Sequence, residues 1–325
     1  MFNLIKDILK PTNWLKLILD PKKINIIPKR ILYYPGLKFG YSKFRIYRNL
    51  EIYFTTYLAK KNNSLKKIFY KESNNINSNY RFSFDQNNLI NEQQMKCISD
   101  NGILILEDVL NSQDYTKIKK IVNESSTAKE NKETNEDQNQ FIKKSLTIFF
   151  LKDDHPLLKI SRKVTQKIYG APIRPLVNIL TSIPNKLPEP DIFGDNIFHP
   201  DRYLPNIKMF FYPDDVNLGE GHFDYALGSH KINKKYLKFF KKNKDWIFDE
   251  RNQDSNSFLN FKKEITVKKN SLVIACTNGF HRRSKFQIFK TRKVITFLYP
   301  DFNIGSLINY KKFNNLLDKD QLSTN

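Results

Sequence analysis

The sequence predicts a mainly β fold with flanking helices. Short runs of β-branched and aromatic residues fill the C-terminal half, and apolar residues recur at helical spacing before it. Turn residues separate the runs, which are Val177–Ile183, Ile207–Tyr212, Phe223–Leu227, Glu264–Val267, Leu272–Cys276 and Lys293–Tyr299. Many short strands of this kind indicate a sandwich or a barrel, and a double-sheet jelly roll is one such solution.

Helices and two further strands are predicted before these runs. Asn101 and Gly102 form a turn that leads into a buried strand. Ser112 is a helix N-cap, and Gly170 ends a second helix. In chain order, the predicted elements are a helix at Glu92–Ser99, a strand at Gly102–Leu106, a helix at Gln113–Val122, a strand at Ser145–Leu151 and a helix at Leu157–Tyr169.

Composition along the chain predicts three regions. Residues 1–90 form a basic, aromatic-rich extension, residues 91–305 form the main domain with a basic insertion at 231–263, and residues 306–325 form a tail. The N-terminus has the spacing of a basic amphipathic helix, which either packs on the main domain or makes a peripheral contact with an anionic membrane. Further expectations are a second helix at 45–60 and linkers at 74–79 and 125–140.

Charge and cysteine usage argue against several classes of protein. A net charge of +22 suggests nucleic-acid binding, but Lys outnumbers Arg by about four to one and no nucleic-acid-binding motif is visible. Cys97 and Cys276 match no disulfide, zinc or redox motif. Neither a membrane-spanning apolar run nor a signal peptide is visible in the sequence. We therefore expect a cytoplasmic protein that does not bind nucleic acid.

One candidate metal site stands out, and it begins with His199-Pro200-Asp201. Residues i and i+2 of an extended segment point to the same face, so the imidazole and the carboxylate lie side by side. His281 follows at the exit of a turn after a predicted strand, and Arg292 opens the next strand. Two imidazoles and one carboxylate are the ligand set that leaves open positions on a non-haem Fe(II). An arginine suits a carboxylate, because its planar fork bonds both oxygens.

Four blocks of sequence together resemble the phytanoyl-CoA dioxygenase family. In chain order they are Phe198-His199-Pro-Asp201, Lys208-Met-Phe-Phe-Tyr-x-x-Asp-Val, Gly-x-x-x-Tyr-x-x-Gly-Ser-His and Thr277-Asn-Gly-Phe-His281. The resemblance covers roughly residues 95–300 and does not reach residues 1–90. It implies a double-stranded β-helix, a form of jelly roll, and an Fe(II)- and 2-oxoglutarate-dependent oxygenase that uses O₂.

The resemblance also implies roles for individual residues. His199, Asp201 and His281 become the iron ligands, and Arg292 becomes the partner of the distal carboxylate of 2-oxoglutarate. Lys208 is a further candidate that could reach the co-substrate from its strand. Related halogenases lack the carboxylate ligand, so Asp201 predicts hydroxylation or another oxidation and not halogenation. The substrate that the resemblance implies is a small-molecule or acyl-type metabolite.

Some alternatives remain open at this stage. A jelly-roll domain that binds a ligand without turnover and a zinc hydrolase both fit parts of the pattern. We interpret Ser229 and His230 as residues of a structural turn that satisfy local backbone groups. His222 stands where the family has a small residue or proline. The lysines of 231–244 would favour an anionic substrate if that segment overhung the site.

Overall fold

A computed structural model describes the central part of the chain. The described residues are 56, 59–60, 62–71, 76–77, 79–86, 90–125, 142–148, 151–170, 172–184, 194–201, 203–242 and 253–299. The chain divides into two compact units, Met1–Leu58 with Asp301–Asn325, and Ala59–Pro300. Several predicted segments lie outside the described residues. They are the N-terminal amphipathic helix, most of the helix at 45–60, most of the loop at 125–140 and the tail. The division at residues 90 and 305 stays a prediction.

The strands of the second unit form two sheets in the described part of the chain. They are β1 (Arg81–Ser83), β2 (Ile103–Glu107), β3 (Ile142–Ile148), β4 (Leu176–Pro184), β5 (Ile207–Tyr212), β6 (Phe223–Ala226), β7 (Lys262–Ile265), β8 (Ser271–Cys276), β9 (His281–Arg283) and β10 (Arg292–Leu298). The seven-stranded sheet has the order β1-β2-β8-β5-β10-β4-β3, and the three-stranded sheet has the order β7-β6-β9. β1 pairs in parallel with β2, and the other strand pairs are antiparallel.

The two sheets face each other across a shared hydrophobic core. From the larger sheet, Ile105, Val273 and Val294 enter this core, and from the smaller sheet, Tyr225 and Ile265 do so. Side chains alternate across a strand, so each sheet sends every second residue into the layer between the sheets. This arrangement confirms the predicted jelly-roll class, with a mainly β core and flanking helices.

The helices lie beside the sheets. They are α1 (Asn63–Leu65, continued by a π-helical turn at Lys66–Tyr70), α2 (Glu92–Asn101), α3 (Ser112–Ser125), α4 (Pro156–Tyr169) and α5 (Lys234–Lys242). A capping box between Asn91 and Gln94 begins α2, and Gly102, with a φ of 79°, ends it. α4 packs on the outer face of the larger sheet, where Ser161 and Tyr299 are hydrogen-bonded at 2.6 Å. Among the described residues, no helix has the length and apolarity needed to span a membrane.

Candidate metal centre

Backbone pairing brings the two predicted histidines together across about 80 residues of sequence. The His199 N–H donates to the His281 carbonyl at 2.9 Å, and the His281 N–H donates to the His199 carbonyl at 3.0 Å. Two residues on, the Asp201 N–H donates to the Thr277 carbonyl at 2.8 Å. The extended His-Pro-Asp segment is therefore held along β9 and the turn that precedes it.

The three predicted ligands form one cluster. Each of His199, Asp201 and His281 offers a ligand atom, and these atoms all lie within 4.8 Å of one another. The Asp201 Oδ2 atom lies 3.5 Å from the His281 Nε2 atom. The two imidazole ring centroids are 5.1 Å apart. A single divalent ion can therefore be reached by both imidazoles and the carboxylate.

Backbone carbonyls fix the tautomer of both imidazoles. The His199 Nδ1 atom lies 2.6 Å from the Ile197 carbonyl, and the His281 Nδ1 atom lies 2.9 Å from the Gly279 carbonyl. A carbonyl only accepts, so each Nδ1 carries the proton and each Nε2 keeps its lone pair for a metal. Burial lowers the pKa of His281 to about 4, despite the opposing effect of the Asp201 charge. His281 is therefore a neutral imidazole near neutral pH.

Asp201 is ionised, although its side chain is only partly exposed to water. Burial alone would raise the pKa of this carboxyl, but opposing effects, led by the positive charge of Lys208, lower it by more, and the net pKa lies well below the ordinary value. The Lys208 ammonium lies 2.8 Å from the Asp201 Oδ2 atom. The sequence predicted that Lys208 could reach the co-substrate, and in the structure Lys208 contacts the Asp201 carboxylate.

Arg292, the predicted anchor of the co-substrate, is the first residue of β10. One of its Nη atoms donates to the Gly221 carbonyl, and the residue is buried. Its charge also acts on the buried Tyr212, whose pKa is raised by burial and partly lowered again by Arg292. The guanidinium therefore sits in a largely dry part of the layer between the sheets, beside β5 and the entrance to β6.

Sequence reasoning missed a polar network that links the residues flanking both histidines. The Arg282 Nε atom donates to the Asp224 Oδ2 atom at 2.7 Å, and the His222 Nε2 atom lies 3.1 Å from the other oxygen of Asp224. Arg282 also lies over the Phe198 ring, 4.5 Å from its centroid. Phe198 precedes His199, and Arg282 follows His281. The signal in the sequence that could have pointed to this network is Asp224, a charged residue within the otherwise apolar strand β6.

The Gly-Ser-His turn has the structural role that we predicted. The Ser229 hydroxyl donates to the Ala226 carbonyl at 2.6 Å and accepts from the Phe280 N–H at 2.8 Å. His230 Nε2 lies 3.1 Å from the Ser99 carbonyl at the C-terminal end of α2. Lys231 is buried and donates to the Ile68 carbonyl at 2.8 Å, so this lysine does not overhang the metal cluster.

Comparison with protein-family models gave no match, and no curated protein matched the chain. Several solved structures are similar to it. The epimerase SnoN, in complex with Fe3+, alpha ketoglutarate and nogalamycin RO, is 10% identical with a TM-score of 0.47, and the match covers 67% of this chain and 85% of SnoN. HygX from Streptomyces hygroscopicus, with nickel and 2-oxoglutarate bound, is 13% identical with a TM-score of 0.40, covering 64% of this chain and 86% of HygX.

The carbocyclase SnoK, from nogalamycin biosynthesis, is 14% identical with a TM-score of 0.47, and the match covers 65% of this chain and 84% of SnoK. At these identities and TM-scores, the roles of residues in this chain rest on the geometry of its own site. The resemblance to the phytanoyl-CoA dioxygenase family stays a prediction.

The donor set suits a divalent transition metal that keeps open coordination positions. Two imidazoles and one carboxylate bind on one face of an ion and leave the opposite face for other ligands. The cluster can therefore hold a metal ion, and the buried Arg292 is a cation on the next strand along the chain, β10.

Proposed function

We propose that this protein is an Fe(II)- and 2-oxoglutarate-dependent dioxygenase that hydroxylates a small-molecule or acyl-type metabolite. One observation supports the proposal most strongly. His199, Asp201 and His281 cluster within 4.8 Å, and both histidines have Nδ1 bonded to a carbonyl and Nε2 left for the metal. The three residues have the composition of the facial triad of non-haem iron oxygenases.

Each residue of the site has a distinct part in the proposal. His199, Asp201 and His281 would hold the iron, and the Ile197 and Gly279 carbonyls would orient the imidazoles. Arg292 would hold the distal carboxylate of 2-oxoglutarate with its planar fork. Burial of this arginine strengthens the ion pair, because a charge pair is less screened away from water. When bound, the iron would supply O₂ activation coupled to decarboxylation of 2-oxoglutarate to succinate.

The carboxylate of Asp201 further specifies the proposed reaction. The Asp201 carboxyl is ionised, and on a bound iron it would hold the coordination position that a halide needs. We therefore expect a hydroxylated product even when chloride or bromide is added in excess. Mass spectrometry of the product would show this directly, and a halogenated product would refute the assignment of Asp201 as a ligand that excludes halide.

Succinate release tests the function as a whole. Purified protein supplied with Fe(II), 2-oxoglutarate and O₂ should release succinate, and some members of a metabolite library should stimulate the release. His281→Ala should abolish the activity, whereas the exposed Glu264→Gln should keep it. If wild type and His281→Ala both give only background succinate across the library, the chain is better described as a jelly-roll ligand-binding protein without turnover.

A further inference from the structure

The inner face of β5 carries three residues in a row, Lys208, Phe210 and Tyr212. Alternate residues of a strand share a face, and successive members of the row are about 6.8 Å apart. Lys208 contacts Asp201, and Tyr212 lies under the influence of the Arg292 charge. The row therefore connects the metal carboxylate at one end with the anion site at the other.

The middle of the row approaches the second histidine through one intervening ring, that of Phe223. The ring centroids of Phe210 and Phe223 are 5.5 Å apart, and those of Phe223 and His281 are 5.6 Å apart. The row therefore meets the metal cluster directly at Lys208, which contacts Asp201, and the Arg292 charge acts at the Tyr212 end. Lys208 and Arg292 are two cations near opposite ends of this row.

Exposure differs between the two ends. Arg292 is 9% exposed and Tyr212 is 2% exposed, so this end is closed to solvent. The Lys208 and Asp201 side chains are 27% and 21% exposed, so the other end opens to solvent. A co-substrate held by Arg292 would occupy the closed end, and a second molecule would reach the metal from the side on which Lys208 lies.

We infer that Lys208 binds an anionic group of the primary substrate. This inference rests on the proposed function, because it takes His199, Asp201 and His281 as metal ligands and Arg292 as the co-substrate anchor. The Lys208 ammonium group has three N–H donors, and among the described residues it contacts the Asp201 carboxylate.

Metal binding would leave Lys208 in need of a further anion. A divalent ion bound by Asp201 takes up much of the negative charge that now faces the ammonium, and it repels the ammonium directly. The flexible four-carbon stem of lysine lets the group turn toward solvent, where a carboxylate, phosphate or sulfate group could neutralise it. The substrate class is therefore an anionic small molecule that Lys208 recognises, whereas Lys231 of the insertion is buried against the Ile68 carbonyl.

Binding of matched probes tests this role. The protein is loaded with Ni(II) and saturating 2-oxoglutarate, so that the closed end is occupied and no turnover occurs. Hexanoate and its neutral match hexanamide are then titrated by calorimetry, with inorganic sulfate as a second anionic probe. Wild type should bind hexanoate and sulfate at least tenfold more tightly than Lys208→Met does. Lys208→Arg should restore the affinity, and hexanamide should not distinguish the variants.

Lys268→Met is the matched control, because Lys268 is 76% exposed, pairs with Glu107 and carries the same charge. This control should bind both anions as wild type does. Equal affinity of Lys208→Met and wild type for the anions would overturn the inference.

The anaerobic Fe(II) and 2-oxoglutarate charge-transfer band, measured on the same variants, separates the two levels of the proposal. A wild-type protein without the band refutes the proposed function itself. If the band persists in all variants and anion affinity does not change, only the role of Lys208 fails. If Lys208→Met loses the band, Lys208 supports the carboxylate ligand, and the inference about the substrate is overturned.

Discussion

At the residue scale, the site depends on two imidazoles whose Nδ1 protons are placed by backbone carbonyls. His199, Asp201 and His281 could be identified from sequence, because their spacing and residue types match a metal-ligand set. The partners that orient them could not, because the Ile197 and Gly279 carbonyls become partners only through local backbone geometry. The Lys208–Asp201 contact was also out of reach, since it depends on how β5 lies beside the His-Pro-Asp segment.

His230 predicts a pH-dependent stability that belongs to this scale. Burial lowers its pKa well below the ordinary value, so the folded protein holds it neutral, whereas the unfolded chain protonates it below about pH 6.5. The contribution of the neutral His230 imidazole to the free energy of unfolding is therefore complete above about pH 6.5 and is lost as the pH falls below that value. His281, with a pKa lowered to about 4, acts in the same direction.

Denaturant unfolding between about pH 7.5 and about pH 5 measures this effect. The free energy of unfolding of the wild type should fall as the pH falls. His230→Gln retains a donor for the Ser99 carbonyl and does not titrate, so its slope should be smaller by up to about 1.4 kcal/mol per pH unit. A His230→Gln protein with the wild-type slope would contradict the assignment of a buried neutral imidazole.

At the element scale, runs of β-branched and aromatic residues located most of the strands. The strand at Ile207–Tyr212 has the predicted bounds, and α4 begins one residue before its prediction. The strand predicted at Ser145–Leu151 lies three residues earlier, at Ile142–Ile148. Two strands were missed, β1 and β9. β9 consists of His281, Arg282 and Arg283. This strand lacks the alternation of apolar and polar residues that predicts a strand, because His281 belongs to the metal cluster and Arg282 bonds Asp224.

The turn between β8 and β9 gives a prediction for the Gly279 position. A Cβ added there would overlap the Tyr225 hydroxyl and would lie 2.9 Å from the Ser229 hydroxyl. Gly279→Ala should therefore lower the free energy of unfolding by about 1–3 kcal/mol, as other overpacking changes do. It should also weaken metal binding, because the Gly279 carbonyl orients His281.

Removal of the Tyr225 hydroxyl provides the control for that variant. Tyr225→Phe alone should cost about 1 kcal/mol, because the Cys276 carbonyl loses a hydrogen bond of 2.8 Å. In the double variant Tyr225→Phe/Gly279→Ala, the overlap with the hydroxyl is removed, and the close approaches to the Ser229 hydroxyl at 2.9 Å and to the Tyr225 ring carbon at 3.0 Å remain. The combined loss should therefore be smaller than the sum of the single losses by on the order of 1 kcal/mol. Strictly additive losses would show that the alanine methyl group does not meet the tyrosine.

At the scale of the whole molecule, two facing sheets bring together ligands that are distant in sequence. The jelly-roll class could be predicted from the number and spacing of the short strands. The strand order could not, because pairs such as β2 with β8 and β5 with β10 join segments far apart in the chain, and register depends on their mutual packing. The metal cluster depends on one such contact, the bridge between His199 and His281.

A metal that bridges distant segments should stabilise the folded chain. A ligand that binds only the native state adds about 2.7 kcal/mol when its free concentration is 100 times its dissociation constant. Ni(II) should therefore raise the melting temperature of the apo-protein, and EDTA should reverse the rise. Asp201→Asn should lose most of the increase, whereas the exposed Glu264→Gln should keep it. An equal rise in Asp201→Asn and wild type would place the metal elsewhere.

We propose that His199, Asp201 and His281 hold an iron to which 2-oxoglutarate binds, with Arg292 as its anchor. The decisive measurement is anaerobic titration of the apo-protein with Fe(II) and 2-oxoglutarate, followed by visible absorption. We expect a charge-transfer band that requires both components and is absent in His281→Ala. In Arg292→Met, which lacks the carboxylate-binding fork, the band should need at least about tenfold more 2-oxoglutarate. No band in wild type, or an unchanged band in His281→Ala, would refute the proposed iron site.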